Sequence, residues 1–187
     1  MTKVPLKAGL IALLFLFSFV WAGEQTTNYS ATENKLLAAF ILNVAKLTEW
    51  NPASSSQAIK PKIRLLVADN DALASELRQL TQGKKITNHE TEVQTGELTA
   101  IDSKSGEQAE VVILIPDSSQ NLKPALKKLK GCRCLAVTYE GGMALHGASV
   151  NFFTEDSRLR FEINVSRVKE ENLELSSQLL KLGKRIE

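Results

Sequence analysis

Residues 141–186, GGMALHGASVNFFTEDSRLRFEINVSRVKEENLELSSQLLKLGKRI, decide how the rest of the chain is read. They read as a glycine-rich loop, a β-hairpin and a closing amphipathic helix. Leu159, Phe161, Ile163 and Val165 alternate with Arg160, Glu162 and Asn164, the period-two pattern of a half-buried strand. Glu155, Asp156 and Ser157 turn this strand back against residues 149–154, so the chain ends in an antiparallel hairpin. Arg160 and Glu162 point to one face of their strand and are expected to pair with each other. Ser176 is placed to cap a last helix with Leu179, Leu182 and Ile186 along its apolar stripe.

Upstream, strands and helices alternate. IRLLVA at residues 63–68 and VVILI at 111–115 are nearly continuous apolar runs, as expected of strands covered on both faces. CLAVTY at 134–139 is a third, and Val93 lies in a weaker candidate followed by a polar loop through Gly106. Asn70 or Asp71 caps a helix with Leu73, Leu77 and Leu80 on one stripe, ended by Gly83. Residues 122–130 form another, with Pro124 tolerated in its first turn. Strand, helix and strand joined by short connections imply βαβ units. The expected fold is therefore α/β: a single-domain, mixed, largely parallel sheet flanked by helices, finished by the antiparallel hairpin and closing helix. At the front, Thr32 is the expected cap of a helix running to about Trp50. Leu36, Phe40, Val44 and Leu47 make one stripe, and Leu37, Ile41 and Ala45 widen it. Asn51-Pro52 stops the helix, and a serine-rich loop follows.

The N-terminus sets the compartment. Lys3 and Lys7 precede an apolar run from Ala8 to Val20, and Val20-Trp21-Ala22 offers a cleavage pattern. This is the layout of a secretory signal peptide, and the run falls short of the roughly 20 residues that span a bilayer. Residues 1–22 are thus expected to be removed and residues 23–187 to form the exported domain. The chain holds 23 basic and 21 acidic residues, and two of the lysines sit in the leader, so the exported part is neutral. A neutral exported domain is a poor partner for nucleic acid. Cys132 and Cys134 are the only thiols. Residues two apart on a strand lie about 6.6 Å apart, near the upper limit for a disulfide. The pair is open to three readings: reduced, bridged under strain as a redox clip, or bonded to another chain.

Signatures of chemistry are scarce. No glycine-rich phosphate loop follows any predicted strand, and no serine stands in a nucleophile elbow. His89 and His146 lie in separate segments without metal-ligand spacing. Gly141, Gly142 and Gly147 precede a strand rather than a helix, which suits a backbone turn better than an anion site. No catalytic residue, metal or cofactor is expected, and the chain is not read as an enzyme.

Three segments resemble the YfiR family of periplasmic proteins. AAFILNVAKLTEW at 38–50 looks like that family's first helix. Residues 147–153 with RFEIN at 160–164 look like its glycine turn and hairpin, and LSSQLL at 175–180 like its closing helix. His146-Gly147 stands where the family turn commonly reads Gly-Gly, and Asn51 separates Trp50 from Pro52. The resemblance implies a regulator that binds protein. Such proteins hold an inner-membrane diguanylate cyclase inactive through its periplasmic sensor domain, lowering cyclic di-GMP and biofilm formation. An outer-membrane OmpA-like lipoprotein relieves the inhibition by sequestering them. A second copy of the chain is a further candidate partner. The other reading is a periplasmic ligand-binding or envelope accessory protein of the same fold without a cyclase partner. Trp50, Met143, Leu145 and Phe153 are the candidate exposed apolar contacts, against ordinary core packing for each. The polar residues Asn43, Lys46, Asn151, Glu162, Asn164 and Ser177 are expected to satisfy internal hydrogen bonds.

Overall fold

The computed structural model describes residues 29–50 and 62–186; the expected leader at 1–22 and the serine-rich segment lie outside the described residues. Ser30, not Thr32, caps the first helix, α1 (Ala31–Lys46), because its hydroxyl accepts from the Glu33 N–H at 3.1 Å. Leu37, Ala38, Ile41, Val44 and Ala45 form the buried side, while Leu36 is left 45% exposed. The helix stops short of Trp50 because Thr48 and Glu49 are drawn into a short strand. This strand, β1 (Thr48–Glu49), pairs antiparallel with β9 (Glu174–Leu175), and Ser176 N–H donates to Leu47 O at 2.9 Å.

The remaining strands form one sheet. In chain order they are β2 (Lys62–Ala68), β3 (Lys85–Ile86), β4 (His89–Gly96), β5 (Val111–Leu114), β6 (Leu135–Thr138), β7 (Val150–Glu155), β8 (Arg158–Asn164) and β10 (Lys184–Ile186). Their spatial order is β10-β8-β7-β6-β5-β2-β4-β3. The run from β4 to β7 is parallel, β7 and β8 make the antiparallel hairpin, and β10 adds parallel to β8. The two strands buried on both faces show why their sequences do not alternate. Val111, Ile113, Leu135 and Val137 face a core shared with α1 and α2 (Asp71–Thr81). Val112, Leu114 and Ala136 face a second core with α4 (Lys123–Lys128).

The structure departs from the sequence reading in several places. The supposed polar loop after β4 holds a turn of 3₁₀ helix at Leu98–Ala100 and α3 (Ser103–Gln108). A reciprocal cap starts α3: Asp102 accepts from Ser105 N–H, which holds the Asp102 carboxyl below its ordinary pKa, and the Ser105 hydroxyl accepts from Asp102 N–H. Val165 leaves β8 and opens an unpredicted helix, α5 (Val165–Glu170), capped by Asn164. Ser176 caps α6 (Ser177–Leu182) as expected, but the helix ends there. Leu182 is 68% exposed and Ile186 lies on β10. Gly183 permits this last turn onto the sheet, since a methyl there would lie 2.5 Å from Phe161 Cε2. The added strand also changes the charge pairing. Lys184 stands in register with Glu162 and reaches it at 3.3 Å, while Arg160 pairs with Glu155 at 3.8 Å. Arg160 and Glu162 therefore do not pair with each other.

Candidate functional site

The sheet reverses its direction of winding between β2 and β5, and the crevice beyond their carboxyl ends is where open α/β sheets hold ligands. Here Asn70 fills the floor. Its side chain is buried, donating to Ile115 O and accepting from Leu73 N–H, both at 2.8 Å. Around it lie carboxylates. Asp69 accepts from Gln120 at 3.0 Å, and the Asp117 N–H donates to Asp69 O. The Asp117 carboxyl is raised above its ordinary pKa, first by burial and then by the charges of Asp71 and Asp69. Such a crevice repels phosphates, in keeping with the missing phosphate loop. Among the described residues no group of three or more His, Cys, Asp and Glu side chains is placed to hold a metal ion.

Cys132 and Cys134 are both free and buried. No bridge joins them within this chain. Their surroundings oppose redox work. Burial pushes the Cys134 thiol up to about 12, and Glu171 adds to the effect; Cys132 is raised by burial as well. Neither thiol supplies thiolate at neutral pH. The sign of the consequence follows from linkage. An unfolded chain gives up the Cys134 proton near the ordinary 9.0, whereas the folded one keeps it. The contribution is complete below pH 9 and is lost as pH rises toward about 12. Urea midpoints should therefore fall across pH 9–11, and fall less in Cys134→Ala; identical slopes would refute a buried, protonated thiol.

The turn carrying Cys132 is held by a buried ion pair absent from the sequence reading. Arg167 and Glu171, one helical turn apart on and just beyond α5, meet at 2.8 Å and are 4% and 0% exposed in their side chains. Glu171 accepts from Gly131 N–H at 2.8 Å and Arg133 N–H at 2.6 Å, and Arg167 donates to Leu129 O at 2.8 Å. Gly131 and Arg133 both have positive φ, so the pair clamps a strained turn. The i,i+4 spacing was visible, but without α5 nothing marked it as buried.

The four apolar candidates separate. Met143 is 4% exposed within the second core, which overturns its reading as an exposed group. The reason is the 3₁₀ turn Met143–His146, set between Gly142 at φ 80° and Gly147 at φ 103°. It turns Met143 and Ala144 inward and leaves Leu145 72% exposed. Phe153 is half-buried and belongs to neither core. Along β7 it alternates with Phe152, which faces α1, so it lies on the opposite face of the sheet. That is the face whose core includes Met143, two residues before Leu145. Trp50 is half-buried against the first core, on the other side of the sheet. Of the polar motif residues, Asn151 accepts from Thr138 and Glu140, Asn164 donates to Ala144 O, and Glu162 meets Lys184. Asn43, Lys46 and Ser177 instead lie at the surface.

This arrangement, from α1 to β10, coincides with a family model described as YfiR/HmsC-like, which matches residues 34–184. The chain belongs to the YfiR/HmsC-like family. YfiR-like proteins are periplasmic regulators rather than enzymes. No curated protein matches the sequence. The crystal structure of a conserved domain protein from Vibrio cholerae is similar at 9% identity with a TM-score of 0.50, over 82% of this chain. That likeness concerns the fold alone, and this chain spans 60% of that protein's length. Among the described residues no helix is long and apolar enough to cross a membrane.

Proposed function

We propose that residues 23–187, freed from a leader at 1–22, act in the periplasm to restrain an inner-membrane diguanylate cyclase through its periplasmic sensor domain. The family match over residues 34–184 carries this reading. Physically it is a population shift: the regulator lowers cyclic di-GMP only by binding the cyclase's off state more tightly than its on state. An OmpA-like lipoprotein of the outer membrane that captured the regulator would relieve the restraint. Leu145 and Phe153, on one side of the sheet, and Trp50 on the other are the proposed apolar contacts, with Leu145 foremost because it is the most exposed.

The test is the cyclic di-GMP level of cells lacking the gene. It should rise on deletion, return with the wild-type gene, and stay high with a copy lacking residues 1–22. Leu145→Glu should fail to restore it although the protein folds, since a surface substitution costs stability within about 0.5 kcal/mol. An unchanged level on deletion would sink the cyclase reading and leave the ligand-binding or envelope accessory role.

A further inference from the structure

One edge of the sheet is left open beside a cationic groove. β2 covers β4 along residues 90–96, whereas β3 on the other side reaches only His89 and Glu90. The connecting turn has Thr87 and Asn88 both at positive φ, the two-residue geometry that makes Ile86 and His89 a hydrogen-bonded pair. Backbone alternation then aims the N–H and C=O groups of Thr91, Val93 and Thr95 away from β2. Gly96, of opposite parity, accordingly accepts from Asp69 N–H on the β2 side. Among the described residues no strand pairs with this part of β4.

The side chains of Thr91 and Val93 face α2, and between them and that helix runs a groove of about 580 Å³. Arg78 and Lys84 are among its lining residues; Lys85 and Glu90, the single acid there, border it with side chains of opposite parity to Thr91 and Val93. None of the four is in an ion pair among the described residues. The Thr91 hydroxyl, part of the same lining, is buried without a hydrogen-bond partner there. A strand added to β4 would place every second side chain over this groove.

We propose that the open edge of β4 receives an extended acidic segment of a partner protein as an added strand. Its backbone pairs with Thr91, Val93 and Thr95, and its carboxylates meet Arg78 and Lys84. Main-chain pairing supplies the affinity and the groove selects the charge. The inference goes beyond the regulator reading, because it stands whether or not the partner is a cyclase.

The experiment uses ¹⁵N-labelled protein purified from the periplasm after expression of the full chain. The probes are an eight-residue peptide alternating Glu with Val and its counterpart alternating Lys with Val. The acidic peptide should bind, shift the amides of Thr91, Val93 and Thr95, and protect them from exchange, while the basic one does not. Arg78→Glu combined with Lys84→Glu, both at surface positions, should weaken acidic-peptide binding by about 10-fold or more. Equal binding of both peptides, binding that leaves the three amides unmoved, or no binding would overturn the proposal. So would citrate alone reproducing every shift, which would make the groove a small-anion site. Dimerisation that protects the same amides without peptide would overturn it in favour of a second copy.

Discussion

Glu171→Ala is expected to destabilise the folded chain by about 3–5 kcal/mol, among the largest effects of any single change. The carboxylate is fully buried and has three partners: the Arg167 guanidinium and the N–H groups of Gly131 and Arg133. Removing it leaves two amides and a cation inside the protein, with Leu129 O the remaining hydrogen-bond partner of that cation. Uncompensated buried charge is what makes the loss large, because desolvation of Arg167 is no longer offset. Urea unfolding with an unchanged slope would measure it. The double variant Arg167→Met with Glu171→Leu should lose less than the sum of the single changes, since it removes the stranded charge as well. Additive losses would show that the two side chains do not act as a pair.

Phe152→Ala should cost a similar amount, about 3–5 kcal/mol, for a different reason. Phe152 is 0% exposed at the centre of the first core. Its ring meets Phe40 of α1 edge-on, with centroids 6.3 Å apart, and Phe161 of β8 at 6.0 Å. Truncation removes both ring contacts and leaves a cavity between helix and hairpin that neither rigid element can close. Phe152→Leu, which retains much of the apolar volume, should cost clearly less; equal costs would mean that the ring geometry contributes nothing. Against a total stability of roughly 5–15 kcal/mol, the alanine variant would lose a large share of the folded population at 37 °C.

Legibility varied with how far each signal reaches along the chain. The hairpin was readable because Leu159, Phe161 and Ile163 alternate over a half-buried strand and Asp156-Ser157 tolerate positive φ. The central strands were readable because burial on both faces leaves uninterrupted apolar runs. The ends of elements were less so. β1 exists only through pairing with β9, more than 120 residues away in the chain, so no local pattern could shorten α1 to Lys46. β10 read as the tail of a helix because Leu179, Leu182 and Ile186 are spaced like one; docking against β8, made possible by Gly183, overrode that spacing. For the candidate contacts, residue type suggested Trp50, Met143, Leu145 and Phe153. Which of them is exposed depended on the turn between Gly142 and Gly147, which buries Met143 and leaves Leu145 open.

By itself the sequence determined the fold class, the hairpin, the export leader as an expectation and the family resemblance. Each rests on composition or on periodicities carried by neighbouring residues. Only the tertiary structure decided that the two thiols are buried, that Arg167 and Glu171 form a buried clamp, and that, among the described residues, β4 keeps an open edge beside cations outside any ion pair. Those features depend on which groups lose contact with water and which backbone groups find partners. Both are set by segments far apart in the chain, where no local pattern can record them.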